Sequence, residues 1–440
     1  MSTEAKIEWT TLTGDNKSDF FRGVPIAVNN EGYVYIAGTT TKDLNGIKNN
    51  GDCDISLIKL NNNKSQEFTK LIGSNKNEFA TDICIGSDGS IYISGHTEGD
   101  LNGQINKGYN DPFLIKLNSN GIEEWTKLFG SNKSDGMYTI GGGLIKSSND
   151  GYIYFLGERN DMYFISKFDS NGNETQIFSG HLSKNGIFDP YYKQGYVEDW
   201  SIGLDGSFYI TGSTGVNLDG QANNGVEDVF ITKINKNGNK EWTKLFGGNA
   251  YDNGFGICLG DDGSIYLAGK SNSTYLNGQL NPQITNLGSA FVMKLKADGK
   301  EEWTKLIATD SKNSPIEAKG IYINKDESIY ITGYTQGDLN NQSSKGASDV
   351  FAMKMLADGT EEWTKLFATS ARDYAYEISI SNEGFIYITG ETSGNLNGEM
   401  GSGYYDDFVI KLSEEGLTVE KGKEIIGTSQ NDSLQGDTSN

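Results

Sequence analysis

The sequence predicts an all-β chain of four-stranded antiparallel units closed into a ring. Three observations carry this reading: a motif recurring end to end, Asx-Gly turn pairs at fixed places within each copy, and a strand missing from the last copy that the first residues can supply. Internal periodicity is decisive because a repeated supersecondary unit cannot bury its faces alone. The motif EWTKLFG spans Glu241 to Gly247, with variants anchored on Trp9, Phe68, Trp125, Trp303 and Trp363. A degraded copy, ETQIFSG, places Glu174 near the anchor position. The successive spacings are then 59, 57, 49, 68, 61 and 60 residues, which makes seven copies.

Each copy has the same internal order. Ser90-Ile91-Tyr92-Ile93-Ser94 and Phe113-Leu114-Ile115-Lys116-Leu117 alternate with the period of two that strands require. Asp88-Gly89, Asp205-Gly206 and Asp262-Gly263 mark one tight turn, and Asn120-Gly121, Asn237-Gly238, Asp298-Gly299 and Asp358-Gly359 another. Such pairs accept the left-handed backbone of short hairpins. Four strands per copy follow, labelled a to d from the centre outward. Radial stacking of seven four-stranded sheets is a seven-bladed β-propeller, an architecture that leaves few exposed sheet edges. The chain opens on an orphan d strand, Glu8 to Gly14, and its last copy stops after strand c near Leu412. Pairing these two segments closes the ring. The propeller is assigned to residues 1–416 and an acidic tail to residues 417–440.

Composition narrows the function classes. The 440 residues carry a net charge of −22, which argues against nucleic acid and anionic membrane surfaces as partners. No apolar run is long enough to span a bilayer, and the opening residues lack the pattern of a cleaved signal peptide. Three cysteines cannot form a disulfide framework. Two histidines, His96 and His181, make no transition-metal constellation, and no nucleophile elbow, HExxH or P-loop is present.

The pattern IYITG-x-T-x-G-x-LNG, then D-x-F-x-x-K and EWTKLFG, resembles the seven-bladed β-propeller repeat family abundant in bacterial and cyanobacterial surface or secreted proteins. Good copies are Ile329 to Gly333 with Asp349 to Lys354, and Ile386 to Gly390 with Asp407 to Lys411. The third copy departs from the pattern at Gly157 to Asp161, and the fifth at Lys270 to Gly288. Asn431, Asp432, Leu434 and Gly436 resemble part of a haemolysin-type calcium-binding repeat, present as one turn only. The resemblances imply an extracellular or cell-surface protein exported without a cleaved leader, with a cytoplasmic location as the alternative. The family has no uniform activity, so its name supplies architecture and not chemistry.

Loop lengths point to one face. The b–c and d–a connections are long and emerge together, so binding is expected there. The Asp100-Leu101-Asn102-Gly103 loop and its counterparts at Asp219 and Asp338 offer oxygen atoms to a calcium ion, against the competing role of capping backbone amides. Aromatic residues Phe79, Tyr251 and Tyr374 approach the same face. The irregular Ser179 to Asp199 connection, with His181, Asp189, Tyr191 and Tyr192, lies beside the short third-blade loop that holds Arg159. Together these suggest one asymmetric pocket. The resulting expectation is a monomeric binding or scaffold propeller that recognises a carbohydrate or protein, with a purely structural or adhesive protein as the alternative. A carboxylate-based hydrolase or lyase ranks below both, because it requires a carboxylate cluster focused at the central mouth.

Overall fold

The computed structural model describes residues 4–13, 24–133, 135, 142–160, 162–182, 196–282, 287–311, 314–401 and 405–414. Seven four-stranded antiparallel sheets follow one another along the chain. Their innermost strands, blades 1 to 7, are Ile26–Val28, Glu78–Ile85, Leu144–Ser147, Tyr196–Ile202, Asp252–Leu259, Ile316–Ile323 and Asp373–Ile380. The second and third strands of each blade are almost wholly buried, as in Ile91–Thr97 and Asp111–Leu117 of blade 2, because both of their faces pack against neighbouring blades. The tail and its calcium-repeat resemblance lie outside the described residues, as do Asp189, Tyr191 and Tyr192.

Ring closure follows the expected route. Ala5–Thr13 pairs antiparallel with Asp406–Glu414, from Ala5 opposite Glu414 to Thr13 opposite Asp407, and completes blade 7. Removing residues 1–13 would leave Asp406–Glu414 as an unprotected sheet edge, a template for intermolecular pairing. The truncated protein is expected to elute as aggregates in size-exclusion chromatography, where the full chain gives one discrete species.

The tryptophans bind blades to one another. Trp9, Trp125, Trp242, Trp303 and Trp363 meet a tyrosine of their own blade edge-on, with ring centroids 5.9–6.4 Å apart. This is the favoured geometry for the aromatic quadrupole. Three of the indoles also donate across to the next blade's outer turn: Trp9 to the Asn62 carbonyl at 3.0 Å, Trp125 to Ser170 at 3.2 Å and Trp303 to Ala357 at 3.3 Å. The recurring motif is therefore an inter-blade rivet.

The LNG loops fold outward, away from the central axis. Their leucines Leu101, Leu218, Leu276, Leu339 and Leu396 are completely buried. Asn45, Asn102, Asn277, Asn340 and Asn397 each donate to a threonine hydroxyl on the outermost strand of the same blade, at 2.8–3.3 Å. These asparagines adopt φ near +50°, a left-handed conformation that Asn tolerates better than most residues.

Candidate active site

The innermost strands line a central cavity of about 640 Å³. A strand alternates its side chains, so residues two apart share the channel side. In blades 2, 4, 5, 6 and 7 the pairing with the second strand skips one residue, a bulge that falls at Thr81, Glu198, Phe255, Lys319 and Tyr376. The position immediately after the bulge holds Asp82, Asp199, Gly256, Gly320 and Glu377. Two residues further in stand Cys84, Ser201, Cys258, Tyr322 and Ser379, and Lys146 is their register counterpart in blade 3. Three carboxylates and one ammonium thus converge on the channel from blades 2, 4, 7 and 3.

Each acid is anchored by a neighbouring blade. An innermost strand has one edge without a partner strand, and its amides still need acceptors. Asp82 accepts from Ile83 N–H at 2.8 Å and from Ile145 N–H of blade 3 at 2.9 Å. Asp199 accepts from Trp200 N–H at 2.7 Å and from Ile257 N–H of blade 5 at 3.0 Å. Glu377 accepts from Ile26 N–H of blade 1 at 2.9 Å. The carboxylates are therefore held rigidly before any ligand arrives. In blades 5 and 6 a glycine takes this position, and a Cβ on Gly320 would lie 3.0 Å from the Ile378 nitrogen. There the next blade fills the space an acid occupies elsewhere.

The charges are strongly interdependent. The Lys146 ammonium lies 3.6 Å from Asp199, and its side chain is partly exposed to the channel. Burial alone would lower the Lys146 pKa, but the charges of Asp199, Asp82 and Glu377 outweigh it and raise the value. Burial, with a further push from the Asp82 charge, raises the Glu377 carboxyl to about 8 despite the nearby ammonium. Burial also raises Asp82, against the pull of Lys146 and of the Ile145 amide. The Cys84 and Cys258 thiols face this channel, where burial pushes both well above the usual thiol range, so neither is an activated nucleophile.

The residues singled out from the sequence are distributed differently. Phe79 stacks on His96 in blade 2, with centroids 4.9 Å apart. The Arg159 guanidinium lies 5.3 Å from the Phe164 ring in blade 3, and His181 follows that blade's outermost strand. Tyr251 precedes the innermost strand of blade 5, and Tyr374 meets Tyr334 edge-on at 4.7 Å between blades 6 and 7. These positions are spread around the rim. Asp100 accepts from Asn106 N–H at 2.9 Å, Asp338 from Ser344 N–H at 2.9 Å, and Asp219 from Thr243 at 2.6 Å and Lys240 at 2.5 Å. With Asn102 bonded to Thr126, the four calcium candidates are divided among three LNG loops, Asp100 and Asn102 in blade 2, Asp219 in blade 4 and Asp338 in blade 6, each engaged within its own blade. No group of three or more His, Cys, Asp or Glu suited to a metal ion occurs among the described residues. No helix among them is long and apolar enough to cross a membrane.

Residues 362–397 match the family described as Beta-propeller repeat, SBBP. The chain is a seven-bladed β-propeller containing that repeat. The propeller is 22% identical over 390 residues to the Regulatory protein FlaEY of Caulobacter vibrioides. That match covers 78% of this chain and 39% of the relative, so the chain spans well under half of the curated protein it matches. Among solved structures, the polysaccharide lyase Uly1 aligns with a TM-score of 0.53 at 13% identity, covering 93% of this chain and 94% of that one. Streptogramin B lyase aligns at 0.47 and 13%, covering 92% and 98%. The periplasmic gluconolactonase PpgL of Pseudomonas aeruginosa aligns at 0.47 and 10%, covering 85% and 98%. At these identities the likeness concerns the fold.

The expectation of a binding or scaffold module, with an enzyme ranked below it, is corrected here. It rested on the absence of a catalytic motif in the sequence, a hydrolase or lyase requiring a carboxylate cluster focused at the central mouth. Asp82, Asp199 and Glu377 form one around Lys146, in an architecture shared with the polysaccharide lyase Uly1.

Proposed function

We propose that the central channel is a catalytic site that cleaves a C–O bond of a carbohydrate-class substrate by general acid–base chemistry. The observation that carries this reading is geometric: Asp82, Asp199 and Glu377, each held by a backbone amide of a neighbouring blade, converge on one channel with the Lys146 ammonium 3.6 Å from Asp199, and burial pushes the Glu377 carboxyl upward. Glu377 donates its proton to the departing oxygen. Asp199 accepts a proton, from water in a hydrolysis or from carbon in an elimination, so that either route balances with no added redox partner. Lys146, 3.6 Å from Asp199, offsets negative charge that develops on the substrate, in a site whose dipoles are already oriented. The polysaccharide lyase among the structural neighbours supports the substrate class.

A turnover screen over neutral, carboxylated and sulfated polysaccharides tests the proposal, with new reducing ends and unsaturated products as separate readouts. Activity is expected on at least one substrate, with Lys146→Met lowering it about 100-fold, within the range of acid–base contributions. Unchanged activity in that variant, or silence of the wild type across the screen between about pH 5 and 8, the span over which such catalytic groups commonly titrate, would overturn it.

A further inference from the structure

Above the acid cluster, toward the long-loop face, the bulged residues of three consecutive blades differ in kind from the rest. Phe255, Lys319 and Tyr376 belong to blades 5, 6 and 7 and line the cavity. A bulge leaves its extra residue outside the ladder and re-aims its side chain. The Lys319 ammonium lies 3.2 Å from the Phe255 ring centroid, a cation–π contact that fixes its direction. It also pairs with Glu317 at 3.0 Å, and Lys270 reaches the other oxygen of the same carboxylate at 2.8 Å. Two ammonium groups therefore share one carboxylate. Burial works against ionisation of Glu317, yet Lys319 and Lys270 prevail and lower it to about 2. Tyr376 is oriented by its hydroxyl, which donates to Glu391 at 2.7 Å. In a chain of net charge −22, a cationic and aromatic arc at the channel wall is a local reversal of sign.

We infer that Phe255, Lys319 and Tyr376 form a sugar subsite that takes a residue bearing an anionic substituent, with Lys319 meeting the anion and the two rings meeting the sugar's apolar face. The inference rests on the catalytic reading of the channel and adds its substrate class. A ring of alternating C–H and O–H groups presents an apolar face to aromatic side chains, and exposed cation–anion contacts contribute modestly but are sensitive to salt.

The test uses the full chain carrying Glu377→Gln, chosen for its lowered turnover, and calorimetric titration with three probes: oligogalacturonate, its methyl ester, and a sulfated oligosaccharide of similar length. At low salt at least one anionic probe is expected to bind at least tenfold more tightly than the neutral ester, and the two anionic arms identify carboxylate or sulfate as the favoured group. Adding Lys319→Met should erase that preference, whereas adding Tyr376→Leu should weaken ester and anion alike. Equal affinity for ester and anions, a preference that survives Lys319→Met, or no binding of any probe would overturn the inference. The catalytic reading is judged independently by wild-type turnover, so either can fail alone.

Discussion

Glu377→Gln is expected to lower turnover by about 10²–10⁴-fold, the usual contribution of a positioned general acid or base, without loss of folded protein. The amide cannot donate a proton of the required acidity, but its oxygen can still accept from Ile26 N–H. In the parent protein activity should fall as pH rises through about 8, where Glu377 loses its proton. Stability should move in step. A carboxyl whose pKa is raised by folding contributes stability that is complete below its unfolded value and is lost as pH climbs through the folded one. Glutamine removes that loss, so the variant should be at least as stable as the parent above about pH 8. Denaturant midpoints and pH–rate profiles measured on both proteins check the two effects. A purely structural role for Glu377 would lower stability and leave the alkaline limb of the activity profile in place.

The second large effect lies between blades. The third strands begin with a completely buried aspartate, at Asp54, Asp111, Asp228 and Asp349, with Asp406 and not Asp407 as the register counterpart in blade 7. Several of these face an acid at the start of the next blade, and the charge of Asp252 adds to burial in raising Asp228 to about 6. The Asn224 amide at 2.8 Å pulls the other way, while Oδ1 of Asp228 has no partner. The folded pKa is raised, so this site stabilises most below the unfolded value near 4 and progressively less as pH rises through about 6. Asp228→Asn is accordingly expected to increase unfolding free energy at pH 7 by about 3 kcal/mol, since each pKa unit corresponds to about 1.4 kcal/mol. Near pH 4, where the parent aspartate is protonated in the folded state, the gain should vanish. Denaturant unfolding at both pH values measures it, and an equal change at the two would reject the explanation.

The architecture was legible because every blade repeats the same solution: Trp125, Trp242, Trp303 and Trp363 recur at one strand position and turn pairs such as Asp205-Gly206 at another. The acid cluster was not, because it breaks the repeat. At the position after the bulge, blades 5 and 6 have glycine while blades 2, 4 and 7 have Asp82, Asp199 and Glu377. Lys146 stands two places further along and in another blade. No linear spacing joins these four residues; only closure of the ring does. A signal was nonetheless present. Charged residues inside otherwise apolar first strands, as in Thr81-Asp82-Ile83-Cys84 and Leu144-Ile145-Lys146-Ser147, violate the alternation of a buried strand and ask for a partner. Attention to long loops drew the sequence reading toward the rim, since loops usually carry function, whereas here the first strands hold the charged groups.

The pairing of Ala5–Thr13 with Asp406–Glu414 also sets an order of events during synthesis. Of the propeller's strands, the one synthesised first finds its partner last, after some four hundred intervening residues have emerged. Until then the nascent chain carries two unsatisfied sheet borders, and the earliest blades must persist as an open arc. Contacts between such distant parts of a chain form slowly and leave adhesive intermediates exposed, so the yield of soluble protein should depend on translation speed and chaperone supply more than the stability of the finished ring would suggest.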